Sequence, residues 1–298
     1  MKFRFSAIFR LVFLFFLFPS CNFGAFWLEF GEESVESRAR VLVDLGDLKQ
    51  NPSVSGSVFS FVAFTDCHFG SSRVGRRDDE FLSAFGELFS CADESMRPSF
   101  AVCLGDIADG GRQGEYDDYN AFAEKISAAG KKSLGTDEFF VYGIPGNHDT
   151  YHGGISRFMD SVFPHATYYR FSAGGVAFYC LDTANGTLGY NQLSDLTRQM
   201  ENDGRQKIVM THYPIYAGGN FLMTMQDSSE RNLLVTLFRK NGVRQVYEGH
   251  AHRPYGFDYK SFREDVLSAY LYDSVFYLVT VDCRSGGRAS VTTRAVEF

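Results

Sequence analysis

Five short, largely apolar runs in this chain each stop at residues able to bind a metal or move a proton. "VFSFVAF" (58–64) leads into Thr65-Asp66-Cys67-His68, and "FAVCL" (100–104) into Gly105-Asp106. "FFVYGIP" (139–145) leads into Gly146-Asn147-His148-Asp149, "KIVM" (207–210) into Thr211-His212, and "VRQVYE" (243–248) into Gly249-His250-Ala251-His252. Runs of this length with little polar alternation predict strands covered on both faces. Helical patterns stand between most of them, over 78–92, 115–130, 191–202 and 229–242, the last with a stop at Asn241-Gly242. Alternating strand and helix predicts an α/β layer architecture. Residues 167–183 read as a hairpin around Ala173-Gly174-Gly175, and the tail as strands turning at "RSGGR" (284–288). Together these two segments suggest a second sheet. "ARVLVDL" (39–45) reads either as a further strand or as an exposed lead-in.

In open α/β sheets ligands bind beyond the carboxyl ends of the strands. Asp66, His68, Asp106, Asn147, His148, His212, His250 and His252 are therefore expected in one crevice. Singly, each has a plain structural reading: an Asp or Asn after Gly suits a turn, and a lone His in apolar surroundings is more often a satisfied core or capping residue. Their joint placement is the signal, because five of the seven histidines fall at strand ends. Imidazole, carboxylate and amide oxygen together suit zinc, iron or manganese. Seven or eight donors exceed the needs of one ion, so the economical reading is two ions sharing a carboxylate. Such a pair clamps the attacking and leaving oxygens of a displacement at phosphorus.

The blocks D-x-H (Asp66, His68), G-D (105–106), G-N-H-D (146–149), a strand-end His212 and G-H-x-H (249–252) resemble, in order, the motifs of the calcineurin-like metallophosphoesterases. The resemblance implies a four-layer α/β/β/α sandwich of two mixed β-sheets flanked by helices. It implies two divalent or trivalent ions (iron, manganese or zinc), one held by Asp66, His68 and His252, the other by Asn147, His212 and His250, with Asp106 between them. It also implies attack by a metal-held hydroxide, with His148 facing the substrate as a general acid and Asp149 orienting His148. "GDIADGGRQG" places Asp109-Gly110 where protein Ser/Thr phosphatases of the family carry Asp-Arg, and Thr150 follows Asp149, so the phosphate-gripping arginines of that branch are missing. "LDT…GYNQLSDL" (181–196) is closer to the branch of purple acid phosphatases and cyclic-nucleotide phosphodiesterases, and His68 stands where the former use tyrosine. Asp109 and Asp182 read as supporting groups or as turn and strand-end residues. His152 is a candidate pocket residue, His165 a surface residue, and Tyr213, Tyr216 and Arg253 are neighbours of ligands.

The formal charge of −7 argues against coating long nucleic acid, which requires a basic face. A small phosphate ester is the expected partner; a metal-stabilised binding module is the competing class. "MKFRFSAIFR" followed by "LVFLFFLF" has the pattern of an export signal, too short to span a bilayer. "FPSC" resembles a bacterial lipobox ending at Cys21. Residues 1–21 are thus read as a signal peptide, 22–57 as a lead-in and 58–298 as one domain, exported to the periplasm or cell surface with membrane contact only through a lipid on Cys21. Cys67, Cys91, Cys103, Cys180 and Cys283 show no C-x-x-C spacing and read as core thiols.

Overall fold

The computed structural model describes residues 34–298 apart from Ser55 and Gly286; the predicted signal segment and Cys21 lie outside the described residues. Two mixed sheets face each other. The first has the order β12 (Ser290–Glu297), β11 (Val275–Asp282), β2 (Val58–Phe64), β3 (Pro98–Cys103), β4 (Val141–Gly143). The second runs β1 (Val43–Asp44), β5 (Tyr169–Ala173), β6 (Val176–Cys180), β7 (Lys207–Met210), β8 (Val243–Glu248), β10 (Arg263–Val266), β9 (Tyr255–Asp258).

The central strands β2, β3, β4, β6, β7 and β8 are buried on both faces, as their composition demands. Along β2, Phe59, Phe61 and Ala63 point between the sheets, while Val62 and Phe64 point outward. The outward set meets α2 (Asp78–Leu88), α3 (Gln113–Leu134), α4 (Gly154–Ser161) and α7 (Tyr270–Asp273) through Phe81, Phe85, Tyr116, Phe158 and Tyr270. Outside the second sheet, α1 (Val35–Arg38), α5 (Gly189–Glu201) and α6 (Ser228–Lys240) cover Ala177, Tyr179, Val209 and Val246 with Val35, Leu196, Met200, Leu234 and Phe238. The result is the expected α/β/β/α sandwich.

Two expectations need correction. The hairpin β5–β6 and the tail hairpin β11–β12 do not form a sheet together. Each completes a different sheet, β6 pairing parallel with β7 and β11 antiparallel with β2. "ARVLVDL" is neither a full strand nor an exposed lead-in. Val43 and Asp44 pair parallel with Tyr169 and Arg170, Leu45 is buried between the sheets, and Arg38 clamps the Asp182 carboxylate at 2.7 and 3.0 Å.

Candidate metal centre

The crevice lies where β2, β3 and β4 of one sheet end beside β7 and β8 of the other. Past their strands, the first two connections stay zipped together. Asp66 N–H donates to Gly105 O (3.0 Å), His68 N–H to Asp106 O (2.9 Å) and Phe69 N–H to Ile107 O (2.8 Å). The second sheet is tied in by His212, whose Nδ1–H donates to Leu104 O at 2.8 Å.

Asp66, His68, Asp106, His250 and His252 all adopt left-handed φ values between 44 and 64°. Such a conformation costs a non-glycine residue about 1–3 kcal/mol and persists only where its surroundings enforce it. Here it turns consecutive side chains off the sheet direction and back into the crevice. Two glycines permit the close approach. Gly105 has φ +94°, and a Cβ there would sit 2.5 Å from His212 Nδ1. A Cβ on Gly146 would sit 2.2 Å from the Asp106 backbone nitrogen.

The side chains converge in two groups sharing one residue: Asp66, His68, Asp106 and His252, and Asp106, His212 and His250. Asn147 joins the second, its Oδ1 3.3 Å from His212 Nε2. Asp106 sends one oxygen toward each group, Oδ2 lying 3.8 Å from His68 Nε2 and Oδ1 3.3 Å from His212 Nε2. All seven residues predicted as ligands are thus brought together.

The donor set fits metal ions. Asp66 Oδ2 accepts from Thr65 Oγ1 and from the His250 N–H, leaving Oδ1 buried without an aligned hydrogen bond, 3.1 Å from His252 Nε2. His252 Nε2 and His68 Nε2 also face each other at 3.4 Å. Buried oxygen and nitrogen atoms aimed at one small space are what a cation satisfies. The His212 Nδ1–H bond fixes the tautomer that leaves Nε2 free for a metal. Electrostatics agree. Burial would raise both carboxylates, but His212 holds Asp106 well below the usual range, and the nearby His252 and His212 hold Asp66 down. His212, despite burial, is lifted to about 9 by Asp106. Burial, with the His212 charge, pushes His250 down to about 4. Protons on His212 thus stand where metal charge would offset the two acids.

His148 sits at the edge, its ring perpendicular to that of His68 with centroids 4.6 Å apart. Its backbone N–H donates to Asp106 Oδ1 (2.8 Å) and its Nδ1–H to Asp109 O (2.7 Å), so Nε2 is the atom left for substrate. The expectation that Asp149 orients His148 is corrected here. The Asp149 carboxylate is buried and accepts from the N–H groups of Ile107, Ala108 and Gly146 (2.9–3.2 Å) and from Tyr116. It locks the 105–108 loop to the 146–149 loop, and burial with the Asp106 charge pushes its pKa up to about 7 against the pull of those amides. Asp109 orients His148 through its carbonyl, while its carboxylate lies 3.3 Å from His68 Nδ1.

Sequence reasoning missed Thr183, whose hydroxyl accepts from the N–H groups of His212 (3.2 Å) and Tyr213 (2.9 Å). Its signal was the "LDT" block; Asp182 beside it is the partner of Arg38, and Gln192 brackets its backbone. Tyr213 stacks on His250 with centroids 3.8 Å apart. Tyr216 packs instead against Tyr255 and Phe257. His152 is exposed, its Nδ1–H donating to Gly110 O, and His165 is a surface residue bonded to Met159 O. Cys67, Cys103 and Cys180 are buried thiols as expected, whereas Cys91 and Cys283 are only partly covered.

Comparison with known proteins agrees with this geometry. A cyclic nucleotide phosphodiesterase, so named as probable, from Fibrobacter succinogenes is 27% identical over 195 residues, covering 63% of this chain and 70% of that protein. Among solved structures, a dimetal phosphatase from Danio rerio superposes with a TM-score of 0.58 at 13% identity, over 82% of this chain and all of that one. The anchor protein of the Plasmodium inner membrane complex superposes with a TM-score of 0.52 at 14% identity, over 82% of this chain and 90% of that one. At these identities the two structures attest the fold alone. The family profile of the calcineurin-like phosphoesterases matches residues 59–254, two thirds of the sequence and every ligand named above, and the chain belongs to that family of metal-dependent phosphoester hydrolases.

Proposed function

We propose that this protein is an exported two-metal hydrolase of small phosphate esters. The observation that carries the reading is Asp106, which belongs to both ligand groups and also fixes the backbone of His148. When bound, the two ions neutralise phosphoryl charge and supply an acidified water. Asp66, His68 and His252 would hold one, Asn147, His212 and His250 the other, with Asp106 common to both. His148, held through Nδ1 and Asp109, presents Nε2 to protonate the departing alkoxide. Asp149 keeps the two loops in register so that His148 and Asp106 stay aligned.

An anchor protein shares this fold, so the fold alone does not carry catalysis. A site kept only for stability has no need of His148 held at its rim. The Fibrobacter relative's name makes cyclic nucleotides the first diesters to assay. Export is supported by the basic start and apolar run of residues 1–18, and Cys21 is the proposed lipidation site; mass spectrometry of the mature N-terminus decides it, an unmodified Cys21 ruling lipidation out. Catalysis is tested with p-nitrophenyl phosphate, bis-p-nitrophenyl phosphate and a cyclic nucleotide, on metal-stripped protein and after restoring manganese, iron or zinc. Turnover that returns with metal and falls by about 10²–10⁴ in His148→Ala is the expected result. Metal-independent turnover, or turnover indifferent to both His148→Ala and Asp106→Asn, would sink it.

A further inference from the structure

The family's phosphoprotein phosphatases grip their substrate with arginines that this sequence lacks, yet a different arginine stands at the rim. The connection from His68 to α2, residues 69–77, carries Arg73, Arg76 and Arg77. Arg76 is committed to structure: it lies over the Phe69 ring at 3.4 Å and donates to both Asp78 oxygens and to Cys67 O. Arg77 pairs with Glu80 at 3.4 Å. Arg73 is exposed, donates to the Tyr272 hydroxyl at 3.1 Å, and forms no ion pair among the described residues.

Tyr272 is a rigid post for it. Its helix, α7, is bolted to the ligand strand by Tyr270 N–H to Thr65 O (2.9 Å) and Leu271 N–H to Asp66 O (3.4 Å). Its ring lies 5.2 Å from that of His252 and 6.3 Å from that of His68. The Arg73 charge is further favoured by Asp109 and Tyr151, which stand on the His148 side of the crevice. The guanidinium is thus linked through the Tyr272 ring to the histidines of the first group, and it is exposed, with donors left over for a ligand.

We propose that Arg73 is a specificity residue that binds a second anionic group, carboxylate or phosphate, set about one ring's length from the ester being cleaved. Tyr272 is its positioning residue. The catalytic readout of this inference rests on the phosphoesterase reading above, so the test includes one that does not.

Phenyl phosphate and 4-carboxyphenyl phosphate differ by one anion at that distance; phenylphosphonate and 4-carboxyphenylphosphonate are their unhydrolysed counterparts. With metal-loaded protein, the carboxylated member of each pair is expected to be favoured about tenfold, in kcat/KM and in calorimetric Kd, the scale of a charge-assisted hydrogen bond discounted for exposure. In Arg73→Ala both ratios fall toward one, in Arg73→Lys they stay between, and Tyr272→Phe lowers them less than Arg73→Ala does. Equal losses on both members of a pair, unchanged ratios in Arg73→Ala, or ratios that collapse in Arg253→Ala instead would overturn the proposal. A preference among the phosphonates that depends on Arg73, without turnover of either ester, would sink the hydrolase reading and leave the role of Arg73 standing.

Discussion

Within one strand, β2, two regions meet that obey opposite rules. Its middle is an aromatic core in ordinary extended backbone. Phe61 stacks on Phe100 (5.0 Å) and meets Phe178 edge-on (5.5 Å), Phe178 stacks on Phe171 (4.8 Å), and Phe171 on Tyr142 (4.2 Å). Two residues beyond its end the backbone turns left-handed at Asp66 and again at His68, and the contents become buried acids and imidazoles. The core supplies favourable free energy by burying apolar surface in staggered, well-packed side chains. The strand ends consume it, in backbone strain and in charge removed from water. The two sheets therefore serve catalysis indirectly: they hold five strained ligands in place without help from the ligands' own preferences.

The largest effect should come from breaking the core while leaving the ends alone. Phe178→Ala removes the ring that touches Phe61, Phe100 and Phe171 and should cost about 3–5 kcal/mol of stability. Activity per folded molecule, measured well below the new melting point, should hardly change. A large drop in kcat at unchanged stability would show that the two regions are not separable in this way.

The converse substitution is Gly146→Ala. The added methyl would meet the Asp106 backbone nitrogen at 2.2 Å and its Oδ1 at 2.3 Å. Asp106 must shift, and a displacement on the order of 1 Å at a catalytic group costs about 10²-fold in rate. Denaturant unfolding should move far less than in Phe178→Ala, because no core contact is lost. If Gly146→Ala instead unfolds the protein and retains activity in the folded fraction, the site is more compliant than its packing implies.

What the sequence disclosed divides along the same line. The strands were legible because burial on both faces writes itself as an apolar run, and the ligands because such a run has no reason to end in Asp-x-His or Gly-Asn-His. Partners were less so. Asp149 was matched to His148 through the family resemblance, but the backbone between them turns Asp149 inward to three amides, and the support comes from a carbonyl, Asp109 O, which has no residue type to betray it. The pairing of β1 was hidden because two residues cannot show a period. The two hairpins were each found locally, yet which sheet each joins is decided by long-range pairing that local turn chemistry does not encode.

The smallest expected effect concerns protons at the boundary of the two regions. His212 is raised from its ordinary value of 6.5 to about 9 by Asp106, and Asp66 raises His252, so the metal-free site carries imidazolium near neutral pH. A group whose folded pKa lies above its unfolded one stabilises fully below the unfolded value, and that contribution is lost as pH rises through the folded value. For His212 the window runs from about 6.5 to about 9. A metal needs the neutral ring, so its uptake expels the proton. Calorimetry at pH 7 in buffers of different ionisation enthalpy should therefore report release of about one proton when the site that includes His212 fills. Affinity should rise with pH by about 1.4 kcal/mol per unit for each proton released and level off above pH 9. Melting of the metal-free protein should weaken across that window while the loaded protein holds, so the gap between them widens. Release near zero at pH 7, with a flat gap, would mean that His212 is already neutral and that Asp106 does not set its charge.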